Sequence, residues 1–412
     1  MQTTSLVRIF RIWVIFILVL YLIAPTSTDA LLRVVGGIFF LTLFLFAFLT
    51  AQTQVPGKIV GRALSLRTVV ALLILQLVSV AYAINFYTGS SIFSVITGSL
   101  AGENLYLSYQ NYFRDEGVAE FSIGKIPAIL GLAATKSIFL FLFASVFLGN
   151  EPKGIRRVMM LSALPIVLMS MARGTFFEIF EILVVVAYGI SLRTRRFKAK
   201  YVFYFLAVGI SFFVLFILNT IRRYEDAESY FASSCATLNY CFSPYGFAFY
   251  VEYAIYLLST YFSMGIFFLS NYISIIFSGN LLSSIFPLAS TSFFGLMENG
   301  LERELCRRYL DCSAVWMPEV ISWVSFFGLL IVFPAVWLFI RAANKFEIQA
   351  LKTGSRYSFP ILALLLIYLV SLPVGKFWTV SSQNILSTIF FGVAFVLSGK
   401  KLVARTKNRS IA

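Results

Sequence analysis

The chain has 412 residues, of which 59% are hydrophobic and only 12% are charged, and its formal net charge is +15. A soluble domain carries about 25% charged residues, so this chain has too few polar side chains to cover a globule, and the composition excludes a soluble protein. The sequence also lacks histidine, which excludes an imidazole base and metal sites built on histidine. We therefore expect an all-α polytopic membrane protein.

Apolar runs separated by short basic clusters predict about ten transmembrane helices. Most Lys and Arg residues fall in these clusters, which is typical of cytoplasmic loops, so we expect both termini in the cytoplasm. The same placement argues against a nucleic-acid partner. In chain order the predicted spans are 12–23, 31–49, 68–87, 126–148, 158–171, 175–192, 201–220, 320–340, 359–372 and 385–397.

The stretch 221–319 is predicted to form a large periplasmic loop within a single integral membrane domain, 1–412. It holds all four cysteines and nine of the 18 acidic residues. Its segment 247–278 is again apolar and aromatic, which is compatible with an interfacial helix, a re-entrant hairpin or a pair of short spans. A shorter polar outer loop is predicted over 88–125.

The cysteines form two pairs with five residues between the members of each, Cys235 with Cys241 and Cys306 with Cys312. Disulfides form in oxidising compartments such as the bacterial periplasm, so we expect these cysteines to be bridged. Disulfides within each pair and disulfides between the two pairs are both compatible with the sequence. A zinc site is the alternative, but the short Cys-x-x-Cys spacing typical of such sites is missing.

Arginines on the outer side are the best functional signal, because they oppose the usual concentration of positive charge in the cytoplasm. Arg173 lies where a short span ends, and Arg222 and Arg223 lie where the seventh span emerges. Arginine presents a planar fork of donors that suits phosphate and pyrophosphate groups. Other outer arginines are expected simply to pair with neighbouring acids: Arg303, Arg307 and Arg308.

A few charges fall within the predicted spans, where they are costly and usually either paired or functional. Glu178 and Glu181 are three residues apart and share one face of a helix, and Lys136 lies deep in the fourth span. One interpretation is a structural pair between Lys136 and Glu181; the other places Glu178 in an outer cavity beside Arg173. Arg33 is expected to snorkel to the outer surface.

Metal and nucleotide chemistry have little support in the sequence. There is no Asp-x-Asp motif, and although Glu225, Asp226 and Glu228 could bind a divalent cation, a solvated run of charge is the simpler interpretation. No glycine-rich phosphate loop appears, which disfavours a nucleotide-driven pump. We expect neither a metal nor a cofactor.

These features together resemble the Wzy-type O-antigen polymerases, a family of bacterial oligosaccharide repeat-unit polymerases. The resemblance covers the whole chain: about ten spans, a composition rich in Phe, Leu and Ile, and a large outer loop late in the chain. The run Ser170-Met171-Ala172-Arg173-Gly174, before an outward-starting helix, looks like the family's small residue–Arg–Gly element. The related O-antigen ligases carry an outer-face histidine, which this chain lacks.

The resemblance implies a metal-independent polysaccharide polymerase of the glycosyltransferase type in the bacterial inner membrane. Its substrate would be an undecaprenyl-pyrophosphate-linked oligosaccharide. Its partners would be the lipid bilayer and a chain-length regulator protein. A lipid-linked oligosaccharide flippase or another polysaccharide transporter is the alternative, and such a protein should keep charges along a path through the membrane.

The resemblance and the residue chemistry together assign the expected site roles. Arginines would stabilise the charge of the departing pyrophosphate, and in the absence of histidine a carboxylate is the expected base. The predicted pyrophosphate-binding residues are Arg173, Arg222 and Arg223. The predicted candidates for the base are Glu178, Glu225 and Asp226. Two tyrosines are expected to stack on sugars, or alternatively to act as interfacial anchors: Tyr224 and Tyr230.

Overall fold

The structure, a computed structural model, contains helices and no strand within the residues that it describes. Those residues are 4–24, 30–49, 63–115, 122–175, 177–193, 262–278, 319–375 and 381–409, with isolated positions at 210, 214, 256, 258–259 and 378. The all-helical architecture confirms the predicted class of fold at this coarse level.

The helix Glu319–Lys352 runs 12 residues past the span predicted over 320–340 and has non-helical backbone angles at Gly328. Otherwise the predicted spans within the described residues largely fall on helices. For example, the span predicted over 126–148 is a helix from Lys125 to Leu148. In chain order the helices are α1 (Ser5–Ile23), α2 (Ala30–Leu49), α3 (Leu66–Thr88), α4 (Ile92–Ala101), α5 (Leu105–Asp115), α6 (Lys125–Leu148), α7 (Lys153–Met160), α8 (Leu164–Ala172), α9 (Phe177–Arg193), α10 (Met264–Ser278), α11 (Glu319–Lys352), α12 (Ser358–Ser371) and α13 (Ser382–Arg409).

Among the described residues, five helical segments are long and apolar enough to cross a membrane. Their outward faces are also apolar; on α3, for instance, Ile74, Leu75 and Val78 are exposed. A soluble protein would bury such a surface, so these faces suit contact with lipid.

The ten-span count stays a prediction, and the predicted span 201–220 falls almost wholly outside the described residues. The five segments are Ser5–Ile23, Ala30–Leu49, Leu66–Thr88, Lys125–Leu148 and Lys153–Ala172.

The chain divides into two compact units. In the second unit α6 is the central helix, because it packs against α3, α9 and α13 and buries most of its length. The candidate site described below lies wholly in this second unit. The first unit comprises Met1–Thr53, Tyr224–Lys345 and Tyr368–Trp378, and the second comprises Gln54–Arg223, Phe346–Ile367 and Thr379–Ala412.

In the first unit, α2 packs against α1 and α10. Arg33, near the start of α2, donates from Nη2 to the backbone carbonyls of Tyr21 and Ala24 at 2.8 Å each, and also to that of Leu22. These carbonyls belong to the C-terminal end of α1, where a helix has acceptors without partners inside the helix. Arg33 therefore caps α1. The sequence had suggested only that its side chain would snorkel to the outer surface.

The candidate span Lys153–Ala172 is bent in its middle. Pro165 has no backbone N–H, and just before it the helix tightens into a 3-10 turn at Leu161–Ala163. The buried side chain of Gln76, on α3, donates to the carbonyl of Ser162 at 2.8 Å. This hydrogen bond satisfies an acceptor at the bend and fixes α8 against α3.

The predicted outer loop 88–125 contains two helices, α4 and α5. The side chain of Ser91 accepts from the backbone N–H of Ser94, which caps the start of α4. Gly102 takes a left-handed conformation and ends that helix. The segment was predicted to be a polar loop because of its charged residues, such as Glu103 and Asp115, although much of it is helical. The consequence for the site is that α5 supplies an aromatic side chain to it.

Candidate functional site

A tight turn after α8 carries Arg173. Gly174 has φ 59, a left-handed conformation that favours glycine, and a Cβ there would lie 2.7 Å from the backbone nitrogen of Tyr106. The hydroxyl of Ser170 donates to the carbonyl of Thr175, and the N–H of Thr175 donates to the carbonyl of Ser170 at 3.0 Å. The local sequence thus forms a closed turn that fixes the position of Arg173.

Arg173 forms an ion pair with Glu178, which lies in the first turn of α9. Its Nη1 lies 2.6 Å from Oε1 of Glu178, while the hydroxyl of Thr175 donates to Oε2 at 2.9 Å. The side chain of Glu178 is 3% exposed and that of Arg173 is 31% exposed. The pair therefore presents the cation outward and keeps the carboxylate buried behind it.

The ring of Tyr109 lies beside the Arg173 guanidinium. The Cζ atom of Arg173 is 5.6 Å from the ring centroid, within the range of a cation–π interaction. Tyr109 comes from α5 and is buried in a hydrophobic cluster with Tyr87 and Met169. The guanidinium is thus held by a carboxylate at one edge and by an aromatic ring that is itself fixed by packing.

The environment of Arg173, which follows the last residue of its candidate span, secures its positive charge. Burial lowers the pKa of the guanidinium, but the negative charge of Glu178 and contacts with Tyr109 raise it by more, so the net shift is upward. An arginine in this setting stays protonated at physiological pH. The site therefore offers a permanent and partly exposed cation.

A second polar cluster joins α6, α9 and α13. The Nζ atom of Lys136 lies 2.5 Å from Oε2 of Glu181 and also donates to Oδ1 of Asn384. The Nδ2 atom of Asn384 donates to Oε1 of Glu181 at 3.0 Å. Each of the three buried side chains therefore contacts the other two, and the ring of contacts is closed.

A small cavity is lined by residues from both polar clusters. Lys136, Glu178, Glu181 and Gln383 contribute polar atoms, and apolar side chains of α6, α8, α9 and α12 complete the walls. Glu178 and Glu181 are one helical turn apart on α9, so both carboxylates reach the same cavity. The two ion pairs are thus neighbours along one face of α9.

The structure brings together, in two pairs, four of the side chains that the sequence singled out. Lys136 pairs with Glu181, and Glu178 lies beside Arg173, so both of the alternatives weighed for these charges are present as contacts. The remaining predicted site residues lie outside the described residues: Arg222, Arg223, Tyr224, Glu225, Asp226 and Tyr230. The same holds for all four cysteines and for the other outer arginines, Arg303, Arg307 and Arg308.

Sequence reasoning missed three residues that contact these charges. Asn384 and the preceding Gln383 are amides directly before the apolar run of α13, a signal that could have been noticed. Thr175 is three residues before Glu178, within reach of a capping interaction. Tyr109 lies in a segment taken for a loop, and nothing in the sequence indicates its contact. Within the described ranges, no group of three or more acidic or cysteine side chains is placed to hold a metal ion.

Five long apolar helical segments in the described part of the chain, together with a buried ion pair between α6 and α9, indicate an α-helical membrane protein. No protein-family profile, curated protein or solved structure matches the chain. What the protein does must therefore be argued from its site.

Proposed function

We propose that this protein polymerises undecaprenyl-pyrophosphate-linked oligosaccharide repeat units, of O-antigen or a related surface polysaccharide, at the periplasmic face of the bacterial inner membrane. The observation that carries the proposal is Arg173. This permanent cation is 31% exposed, and it follows the last residue of a candidate span. The pyrophosphate of a lipid-linked glycan lies at the membrane surface, where the end of a span would meet it.

The proposed reaction transfers the growing chain to a new repeat unit. The bond between the reducing-end sugar and its pyrophosphate breaks, and a glycosidic bond forms to a hydroxyl of the incoming lipid-linked unit. Undecaprenyl pyrophosphate leaves with the bonding electrons, and the hydroxyl proton passes to a carboxylate base. The guanidinium of Arg173 stabilises the charge that develops on the leaving pyrophosphate, and its planar fork suits two phosphate oxygens at once.

The contacts of Glu178 favour a positioning role. Both of its oxygens accept hydrogen bonds, from Arg173 and from Thr175, so in this arrangement the carboxylate is occupied. It holds the guanidinium in one orientation and leaves the exposed part of that group for the substrate. We therefore assign the role of base to Glu225 or Asp226, and additional binding of pyrophosphate to Arg222 and Arg223.

A flippase for lipid-linked oligosaccharides is the second candidate, because of the charges inside the helical core. Lys136, Glu178 and Glu181 all line one cavity, and a transporter is expected to keep such charges along its path. If the protein is a flippase, the cavity would open during transport. If it is a polymerase, the buried charges instead help to hold Arg173 in position.

The two candidates leave different products when the protein is missing. Without polymerisation, single repeat units still reach the periplasm and are attached to the surface, so the glycan is one unit long. Without flipping, units stay on the cytoplasmic side and no glycan appears. Electrophoresis of the surface glycan from a deletion strain distinguishes the two: a single-unit band supports the polymerase, and complete loss supports the flippase.

Variants of the arginine test its place in the reaction. Arg173→Ala should leave only the single-unit band, and Arg173→Lys should restore little, because lysine keeps the charge but loses the planar fork. Arg193→Ala is the control, since it removes an exposed arginine at the other end of α9. Normal long chains in Arg173→Ala, at matched protein levels, would remove this residue from the mechanism.

A further inference from the structure

The Asn384 side chain has the right chemistry to bridge both halves of the buried ion pair. Its carbonyl oxygen accepts from Lys136, and its amide nitrogen donates to Glu181. An amide combines a donor and an acceptor at one position, whereas a carboxylate would lack the donor and an apolar isostere would lack both. Because all three side chains are buried, each depends on the other two for its polar partners.

This closed network fixes the rotation of α9 about its axis. Lys136 comes from α6 and Asn384 from α13, so Glu181 is held from two neighbouring helices at once. A change in the rotation of α9 would leave a buried charge without a partner, which is strongly unfavourable. A single rotational setting of α9 is therefore preferred.

That setting decides where Glu178 points. Glu178 precedes Glu181 by one turn on the same face of α9, and both line the same cavity. Glu178 in turn binds the guanidinium of Arg173 at 2.6 Å. We propose that Asn384 is a positioning residue for the pyrophosphate site: by bridging Lys136 and Glu181 it orients α9, so that Glu178 holds Arg173 ready for the ligand.

This inference rests on the proposed function, and a binding assay separates the failure of one from the failure of the other. The probe is farnesyl pyrophosphate, a short and soluble polyprenyl pyrophosphate, titrated into the purified full chain in lipid nanodiscs by calorimetry. The wild type should bind it, and Arg173→Ala should abolish binding. Asn384→Leu keeps the size of the side chain but removes its hydrogen bonds to Lys136 and Glu181. It should weaken binding about tenfold, because Glu178 would hold Arg173 less firmly.

Ser387→Ala is the matched control. Ser387 lies one turn along α13 and is also buried against α6, where its hydroxyl meets Ser137 and the carbonyl of Ala133. These contacts of the Ser387 hydroxyl do not involve Lys136, Glu181 or Asn384, so its loss changes the same helix interface without changing the network. This variant should bind the probe like the wild type.

Asn384→Asp gives a readout that a general packing defect would not show. The charged groups around this position are Lys136 of α6 and Glu181 of α9, with Glu178 one turn further along α9. When the aspartate is ionised, it has no hydrogen to donate to Glu181. When it is protonated, it has one donor and one acceptor, as asparagine does. Probe binding by Asn384→Asp should therefore recover as the pH falls from about 8 to about 5.5, while the ratio of Ser387→Ala to wild type stays constant.

The outcomes are distinct. Weak binding by Asn384→Leu, together with recovery of Asn384→Asp at low pH, supports the positioning role. If Asn384→Leu binds the probe like the wild type while Arg173→Ala does not bind it, the inference is overturned and the proposed function stands. Equal loss in both Asn384 variants at every pH also overturns it. Absence of binding by the folded wild type overturns the proposed function, and the inference with it.

Discussion

Arg173 and Glu178 form an ion pair across a tight turn, with Nη1 of the arginine 2.6 Å from Oε1 of the glutamate. The arginine side chain is 31% exposed and the glutamate side chain is 3% exposed. The pair is thus arranged with its cation partly exposed and its anion buried. A surface ion pair would be worth little, but a half-buried pair of this kind orients the arginine.

The first prediction concerns the glycine of that turn. Gly174→Ala places a side chain on a residue with φ 59 and brings its Cβ within 2.7 Å of the backbone of Tyr106. The backbone conformation alone should lower the free energy of unfolding by about 1–2 kcal/mol, and the displaced turn should reduce the long-chain glycan. Thermal unfolding in detergent and glycan electrophoresis measure the two effects.

Gly154→Ala is the control for this prediction. Gly154 lies in α7, and a Cβ added there meets no heavy atom within 4 Å. Alanine is favoured over glycine within a helix, so this variant should be at least as stable as the wild type and should make normal polymer. If Gly174→Ala behaved in the same way, the turn would not be what holds Arg173 in place.

The second prediction concerns the buried pair of Lys136 and Glu181. Lys136→Met leaves a buried carboxylate without its cation and should destabilise the protein by about 3–5 kcal/mol. Replacing both members with methionine removes the unpaired charge, so the double variant should recover most of the loss. The measurement is the free energy of unfolding in detergent, from denaturant titration followed by tryptophan fluorescence.

Lys153→Met serves as the control for Lys136→Met, because it removes an exposed lysine at the start of α7. It should change stability by less than about 0.5 kcal/mol. An equally small effect of Lys136→Met would show that the ion pair does not contribute to the stability of the fold.

The third prediction concerns the orientation of the chain in the membrane. The distribution of Lys and Arg predicts that both termini lie in the cytoplasm and that the stretch 221–319 lies in the periplasm. A reporter enzyme that is active only in the periplasm should be active when fused at Tyr240 and inactive when fused at Thr194. The reverse pattern would invert the predicted topology.

The sequence predicted the positions of the long helices well, because uninterrupted apolar runs of this length have few alternatives. The span predicted over 126–148 and the helix Lys125–Leu148 differ by a single residue at one end. The span predicted over 158–171 was too short, since the segment Lys153–Ala172 also includes the basic turn Lys153–Arg157. Basic side chains at a helix end were taken for a loop.

The candidate site was only partly predictable. Rare charges within spans drew attention to Lys136 and Glu181, and their pairing follows from the cost of an unpaired charge in an apolar core. The involvement of Asn384 depends on the packing of α13 against α6, which hydropathy does not encode. Tyr109 reaches Arg173 because α5 folds next to α8, a tertiary contact between segments far apart in the sequence.

The most direct test of the central claim is a polymerisation assay with purified components. The full chain is reconstituted in liposomes with an undecaprenyl-pyrophosphate-linked oligosaccharide repeat unit from its source organism. Glycan length and released undecaprenyl pyrophosphate are then measured together. We expect the wild type to lengthen the glycan and to release one undecaprenyl pyrophosphate for each new linkage, and Arg173→Ala to be slower by about a hundredfold. Transport of the lipid-linked unit across the bilayer by the folded wild type, with neither lengthening nor release, would contradict the account.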